Sequence, residues 1–162
     1  MENRKLNLTM IMDLYELTMA NGVFDSDMRD TVAYFDMFFR RVPDKGGYAI
    51  MAGLEQLIEY MNNLKFTDED IEYLENLNLF RSDFIDYLRD FKFSCDVWAI
   101  PEGTVIFPQE PIVTVKGPVM QALMVETMLL LTINHQSLIA TKANRIVRAA
   151  EGRPVMEFGA RR

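Results

Sequence analysis

The chain opens with apolar residues at helical spacing. Between Leu8 and Asn21, the residues Ile11, Leu14, Tyr15 and Thr18 share one face, with Met12 and Met19 beside them. This predicts an amphipathic helix that packs Tyr15 into a core, with Gly22 as its stop. From Thr31 to Phe39 the run "TVAYFDMFF" carries a single charge, Asp36. Apolar residues on both alternating faces predict a strand covered on both sides. After the loop "RRVPDKGG", helical spacing returns over 50–61 through Leu54, Leu57, Ile58 and Met61. "FTDEDIEYLENL" then marks a helix start: Thr67 is placed to cap the first turn, and Asp68, Glu69 and Asp70 suit its positive end. Phe66 and Ile71 stand at the positions of a hydrophobic staple. "RSDFIDYLRDF" repeats the device with Ser82 as the expected cap.

The texture changes near Phe93. Three short β runs follow, Asp96 to Ile100, Thr104 to Phe107 and Ile112 to Lys116, separated by Pro101-Glu102-Gly103 and Pro108-Gln109-Glu110-Pro111. They predict a small antiparallel unit. Gly117-Pro118 opens a helical region reaching toward Ala150, long enough to predict an internal break. Gly152 and Pro154 end it, and Val155 to Phe158 read as a last strand with no partner. A lone strand after a long helix is the start expected of something larger. The mixed order of elements predicts an α/β or α+β protein. The division expected is 1–117, with the β unit at about 95–117, followed by 118–162.

Composition narrows the function. The chain has 162 residues, 49% apolar and 25% charged, with net charge -7 and a pI near 4.8. That acidity disfavours nucleic acid as a partner, while leaving room for a small anion beside a few arginines. A single cysteine, Cys95, excludes an intrachain disulfide and reads as packing. Charged residues lead the chain without an apolar run behind them, so no signal peptide is visible. The apolar stretch Met120 to Ile133 is interrupted by Gln121, Glu126, Thr127 and Thr132, which argues against a membrane span. A cytoplasmic location is the expectation.

Few residues point to chemistry by pattern alone. The terminal "EFGARR" places Arg161 and Arg162 just past an apolar strand, with Phe158 as a flat surface before Gly159. Either the arginines are a solvated tail, or they stand at a strand's carboxyl end, where parallel folds gather ligands. Arg40 and Arg41 beside Gly46-Gly47 make a weak anion-binding pattern that is not a P-loop. His135, the one histidine, has no Ser, Cys or metal-ligand cluster near it and reads as a hydrogen-bonded structural residue. Glu126 reads as buried and paired, with Lys142 or Arg145 of a neighbouring element as candidate partners. Asp13 and Glu16 read as capping, solvated carboxylates.

Six stretches in order carry a resemblance: "DLYELTMANG", "FFRRVPDKGGYAIMAGLEQLIEYM", "FTDEDIEYL", "IPEGTVIFPQEPIVTVKGP", "INHQSLIATKANRIVRAA" and "EFGARR". Together they resemble the N-terminal third of the nicotinate phosphoribosyltransferases, type II enzymes. The resemblance implies a fold of an N-terminal α/β domain joined to an irregular α/β barrel, with "PVMEFG" as the first barrel strand. It implies synthesis of nicotinate mononucleotide from nicotinate and 5-phosphoribosyl pyrophosphate, coupled to ATP hydrolysis with Mg2+. By the same resemblance Phe158 stacks on the pyridine ring and Arg161 meets the carboxylate or the ribose-phosphate ligand, with Arg162 a weaker candidate. Tyr15 covers the other ring face from the second subunit of a head-to-tail homodimer, and Arg40 reaches phosphate across it. The phosphorylated histidine of the family lies downstream, so its role does not pass to His135, and the ATP and Mg2+ ligands are not in this chain. The 162-residue chain alone is expected to be inactive and to expose barrel-facing apolar surface. Nicotinamide and quinolinate phosphoribosyltransferases share the architecture, and a non-catalytic dimerisation or ligand-binding fragment is the reading from another class.

Overall fold

A computed structural model describes residues 7–42 and 45–159. Helix α1 (Leu14–Phe24) precedes strand β1 (Val32–Met37) and the short β2 (Ala49–Ile50). Three helices follow, α2 (Leu54–Asn63), α3 (Asp68–Asn76) and α4 (Ser82–Arg89). Strands β3 (Asp96–Ala99), β4 (Val105–Ile106) and β5 (Val113–Pro118) lead into α5 (Val119–Leu123) and α6 (Glu126–Ala149).

Strand β5 is the centre of an antiparallel sheet ordered β1-β5-β3, while β4 pairs with β2. The three β runs therefore do not form one closed unit. β1 joins two of them, and the third leaves to hold β2. Period two sorts the sheet's faces. Met37, Val113 and Val115 point into the core. Tyr34, Trp98 and Val32 stand on the open side, where Lys116 Nζ lies 5.3 Å over the Tyr34 ring and the Thr114 hydroxyl donates to Asp36. β1 is thus covered on one face only, against the expectation of two.

The helix pattern is best kept where it is local. Thr67 and Asp70 form a reciprocal capping box at α3, and both staple residues, Phe66 and Ile71, are buried. At α4 the expected cap is displaced by one residue. Arg81 occupies the cap position in an extended conformation and donates to Asp83, so Ser82 is the first helical residue and caps nothing. Around α4, Phe24, Phe84 and Tyr87 pack with ring centroids 5.6 to 6.3 Å apart, and Phe66 and Phe91 meet edge to face. These geometries favour opposed ring edges and faces.

Helix α2 receives its cap from far away. The Glu102 carboxylate accepts from the amides of Gly53 and Leu54, each at 2.6 Å, and so satisfies two free donors of its first turn. Gly53 has φ 103°, and a Cβ there would fall 2.9 Å from the Thr132 carbonyl, so only glycine fits. The helical region after Pro118 is broken at Met124-Val125, as its length predicts. Its second part, α6, presents hydroxyls to the segment that leads into α2. Thr141 Oγ1 accepts from the Ile50 amide, and Ser137 Oγ accepts from the Ala52 amide. This explains two buried polar residues on an otherwise apolar stripe. By length and composition Val119–Ala149 is apolar enough to cross a bilayer, which the shorter stretch read from the sequence did not meet. Met128, Leu129 and Ile133 instead face the core, and Lys142 and Arg148 lie on the exposed side, the behaviour of a core helix.

Helix α1 departs most from its pattern. It begins at Leu14 rather than Leu8, runs through Gly22, and buries Glu16, Leu17, Ala20 and Phe24. Ile11, Leu14, Tyr15 and Met19, the expected core face, are exposed. Glu16 decides this rotation. It is 0% exposed, and its Oε1 accepts from the Thr127 amide at 2.8 Å and from the Thr127 hydroxyl at 2.6 Å, at the first turn of α6. The same hydroxyl oxygen accepts from the Asp13 amide at 3.2 Å. Burial raises the Glu16 carboxyl pKa, against the lowering effect of Thr127. Its Oε2 and the Tyr60 hydroxyl are buried without a hydrogen-bond partner among the described residues.

Thr67→Ala should lower stability by about 1 kcal/mol, measured by urea unfolding, because it removes the cap of an exposed helix start. Glu16→Ala should cost about 1–3 kcal/mol by leaving Thr127 unsatisfied in the core. Glu16→Gln keeps an oxygen for Thr127 and cannot ionise. Since the folded protein binds the Glu16 proton more tightly than the unfolded chain does, the wild-type contribution falls as pH rises through the raised folded value. The stability of Glu16→Gln relative to wild type should therefore improve between about pH 4 and pH 7. A difference that stays flat over that range would refute a proton-linked Glu16.

Candidate functional site

The bond between α1 and α6 brings two side chains of opposite character to one surface. Tyr15 is 45% exposed, and its phenol pKa is raised, first by partial desolvation and then by Glu126 beside its hydroxyl. The phenol is therefore a neutral donor facing a carboxylate. Glu126 does not pair with Lys142 or Arg145. Those two belong to the same helix, 16 and 19 residues further along, which no side chain spans. Glu126 also lines an apolar groove of about 270 Å³ with Phe35, Met37, Val125 and Leu129, between the sheet and the two last helices. Tyr15 is thus an exposed ring at the edge of an apolar, partly acidic surface, not a core tyrosine.

Arg40 follows the end of β1, and its side chain is exposed. Its carbonyl accepts from Gln109 Nε2 at 2.8 Å, and the preceding carbonyl, of Phe39, accepts from the Gln109 amide at 2.8 Å. Neither bond was visible in the sequence, where Gln109 served only as turn punctuation. Arg41 is exposed beside it. Arg145 extends from α6 toward the glycines of the same loop. A Cβ on Gly46 would fall within 1.6 Å of its Nη2, and its guanidinium lies 5.9 Å from the Tyr48 ring centroid.

The carboxyl-terminal pieces differ from expectation. Residues 153–159 form no strand, because no described segment pairs with them. Phe158 is 90% exposed, so no described side chain covers its ring. Tyr15 stands at the start of α6 and Phe158 follows its other end; with 24 residues that helix is about 36 Å long. Arg161 and Arg162 lie outside the described residues. His135 is exposed on α6 with no hydrogen bond among the described residues, so it is not the bonded structural histidine its setting implied. Cys95 packs against Gly117, where a Cβ would fall 2.5 Å from its Sγ, and burial pushes its thiol up to about 11. A thiol held protonated is a poor nucleophile, in keeping with packing. Among the described residues no group of three acidic, His or Cys side chains is placed to hold a metal ion.

Sequence comparison adds identity to this geometry. The chain is 46% identical over 150 residues to nicotinate phosphoribosyltransferase pncB2 of Mycobacterium tuberculosis, covering 93% of this chain and 32% of that protein. It is 42% identical over 156 residues to nicotinate phosphoribosyltransferase of Bacillus subtilis, covering 96% and 32%. The crystal structure of human nicotinic acid phosphoribosyltransferase superposes with a TM-score of 0.85 at 34% identity, over 93% of this chain and 31% of that one. Nicotinate-nucleotide pyrophosphorylase from Pyrococcus furiosus, at TM-score 0.71 and 21% identity, shares the fold. The chain spans about a third of the length of these relatives. A family model described as the nicotinate phosphoribosyltransferase (NAPRTase) N-terminal domain matches residues 10–134. That match takes in most of the chain, including Tyr15, Arg40 and Glu126, and the chain belongs to the nicotinate phosphoribosyltransferase family.

Proposed function

We propose that this chain is the N-terminal part of a cytoplasmic enzyme of pyridine-nucleotide salvage. The enzyme joins nicotinate to 5-phosphoribosyl pyrophosphate, giving nicotinate mononucleotide and pyrophosphate, with ATP hydrolysis coupled. Family membership supports the reaction class. The observation in the structure that carries the reading is the position of Tyr15. A ring on an apolar stripe is held out of the core by Glu16 and offered to an outside partner.

In this reading Tyr15 covers one face of the pyridine ring, and Phe158 with Arg161 and Arg162 meets the ring and its anionic groups. Arg40 reaches phosphate. The wide spacing of Tyr15 and Phe158 along one chain, and the exposure of both rings, favour a homodimer in which one subunit's Tyr15 serves the other subunit's site. Displacement of pyrophosphate at the anomeric carbon develops positive charge on the sugar and negative charge on the leaving group. Positioning the base and placing cations at the leaving group then supply most of the acceleration, and no nucleophilic triad is needed. ATP and Mg2+ belong to the proposal without ligands among the described residues.

The test is nucleotide formation by the full gene product with nicotinate, nicotinamide or quinolinate as base. Nicotinate should be the substrate turned over; product from quinolinate or nicotinamide alone would overturn the assignment. Tyr15→Ala should raise KM for nicotinate about tenfold, the scale of a lost ring contact. Tyr15→Phe should stay within about twofold, since the stacking face survives. The 162-residue chain by itself should form no nucleotide, and steady turnover by the purified chain would refute the assignment of the missing site walls to the rest of the protein.

A further inference from the structure

The turn Pro108-Gln109-Glu110-Pro111 contains an unusual residue. Gln109 has φ 68°, a left-handed conformation that an L side chain adopts at a cost and that glycine or asparagine adopts readily. Nothing in the turn's own packing demands a glutamine. What the conformation achieves is a two-pronged hold on β1's exit. The Gln109 amide donates to the Phe39 carbonyl, and its side-chain Nε2 donates to the Arg40 carbonyl, both at 2.8 Å. Phe39 is buried and Arg40 is exposed, so the pair fixes the point where the chain leaves the core. Two residues earlier the Ile112 amide donates to the Met37 carbonyl at 2.8 Å. The backbone that carries Arg40 is thus pinned from the core outward, and its guanidinium is the part left free to extend into solvent.

We infer that Gln109 is a positioning residue for Arg40 and thereby a determinant of affinity for the pyrophosphate-bearing substrate. The inference rests on the reading above in which Arg40 meets phosphate. Its physical content is separate: local strain is retained at this turn because the glutamine side chain, and no shorter one, reaches the Arg40 carbonyl. A guanidinium must be aimed to within a fraction of an ångström to bind a phosphate through two parallel hydrogen bonds. An arginine hanging from an unpinned loop end loses that aim.

Three variants of the full gene product test this against Arg40→Ala. Gln109→Gly keeps the backbone bond to Phe39 and relieves the strain, but removes the hold on Arg40. Gln109→Glu keeps the length and loses the donor. Gln109→Asn keeps the amide and falls one methylene short. All three should raise KM for 5-phosphoribosyl pyrophosphate about tenfold, the scale of a modest misplacement, with KM for nicotinate unchanged. Gln109→Gly should at the same time raise the thermal unfolding midpoint. Greater stability with weaker substrate binding is a pairing that a merely structural role does not produce. The double variant Arg40→Ala with Gln109→Gly should be no worse than Arg40→Ala alone, since the glutamine acts through the arginine. If Arg40→Ala raises this KM and the Gln109 variants do not, the inference is overturned. If Arg40→Ala leaves it unchanged in an enzyme that turns over nicotinate, the phosphate role of Arg40 is wrong and the inference falls with it. An enzyme without nicotinate turnover would remove the functional reading itself.

Discussion

One carboxyl group, withdrawn from water, sets which face of α1 turns outward. Glu16 accepts the amide and the hydroxyl of Thr127 and so satisfies the first turn of α6 with a side chain from α1. A helix start has free donors and a positive end, and an acidic acceptor suits both. Burying the carboxylate is costly unless such partners are supplied. Once Glu16 points inward, Leu17, Ala20 and Phe24 follow it by helical spacing, and Tyr15 must point elsewhere. The exposed tyrosine is a geometric consequence of the buried glutamate beside it.

The rest of the scaffold works by similar long-range exchanges of polar groups. Glu102 caps α2 from the turn between β3 and β4. Ser137 and Thr141 of α6 satisfy the backbone that leads into α2. Gln121 of α5 accepts from the Ser94 amide at 2.7 Å, next to the entry of β3. Each bond ties an irregular segment to a regular one and satisfies backbone amides that the irregular segment leaves without a ladder partner. The backbone at Arg40 is held in the same way by Gln109, and the entry to α1 by Thr127.

What the sequence revealed follows from the range of the forces involved. The Thr67 cap and the Phe66–Ile71 staple were legible because all their parts lie within six residues. Ser82 misled because the identity of a cap residue says less than the backbone conformation before it, and Arg81 took the extended one. Glu16 was read as solvated because its partner stands 111 positions away, and no local pattern marks such a pair. The apolar run of β1 read as a strand covered on both faces, and 155–158 as a last strand with no partner. A strand's pattern records the cover it is built for, and among the described residues β1 has cover on one face and 155–158 has no pairing strand. Family membership was legible because it rests on many short motifs in order, and these survive errors in the placement of any one helix.

The pairing of β1 with β5 has a consequence in time. Val32 lies opposite Pro118, so β1 leaves the ribosome well before its partner does. With Pro118 lying 86 positions after Val32 and synthesis at about 5–20 residues per second, β1 waits for about 4 to 17 s. During that interval "TVAYFDMFF" is an apolar, β-prone segment with no strand to pair with, the kind that associates with other chains. Asp36, the one charge in the run, sits at its middle and interrupts such association. When β5 arrives, the Thr114 hydroxyl donates to that same carboxylate on the open face of the finished sheet. A residue that protects the nascent strand thus becomes part of the folded surface without being buried.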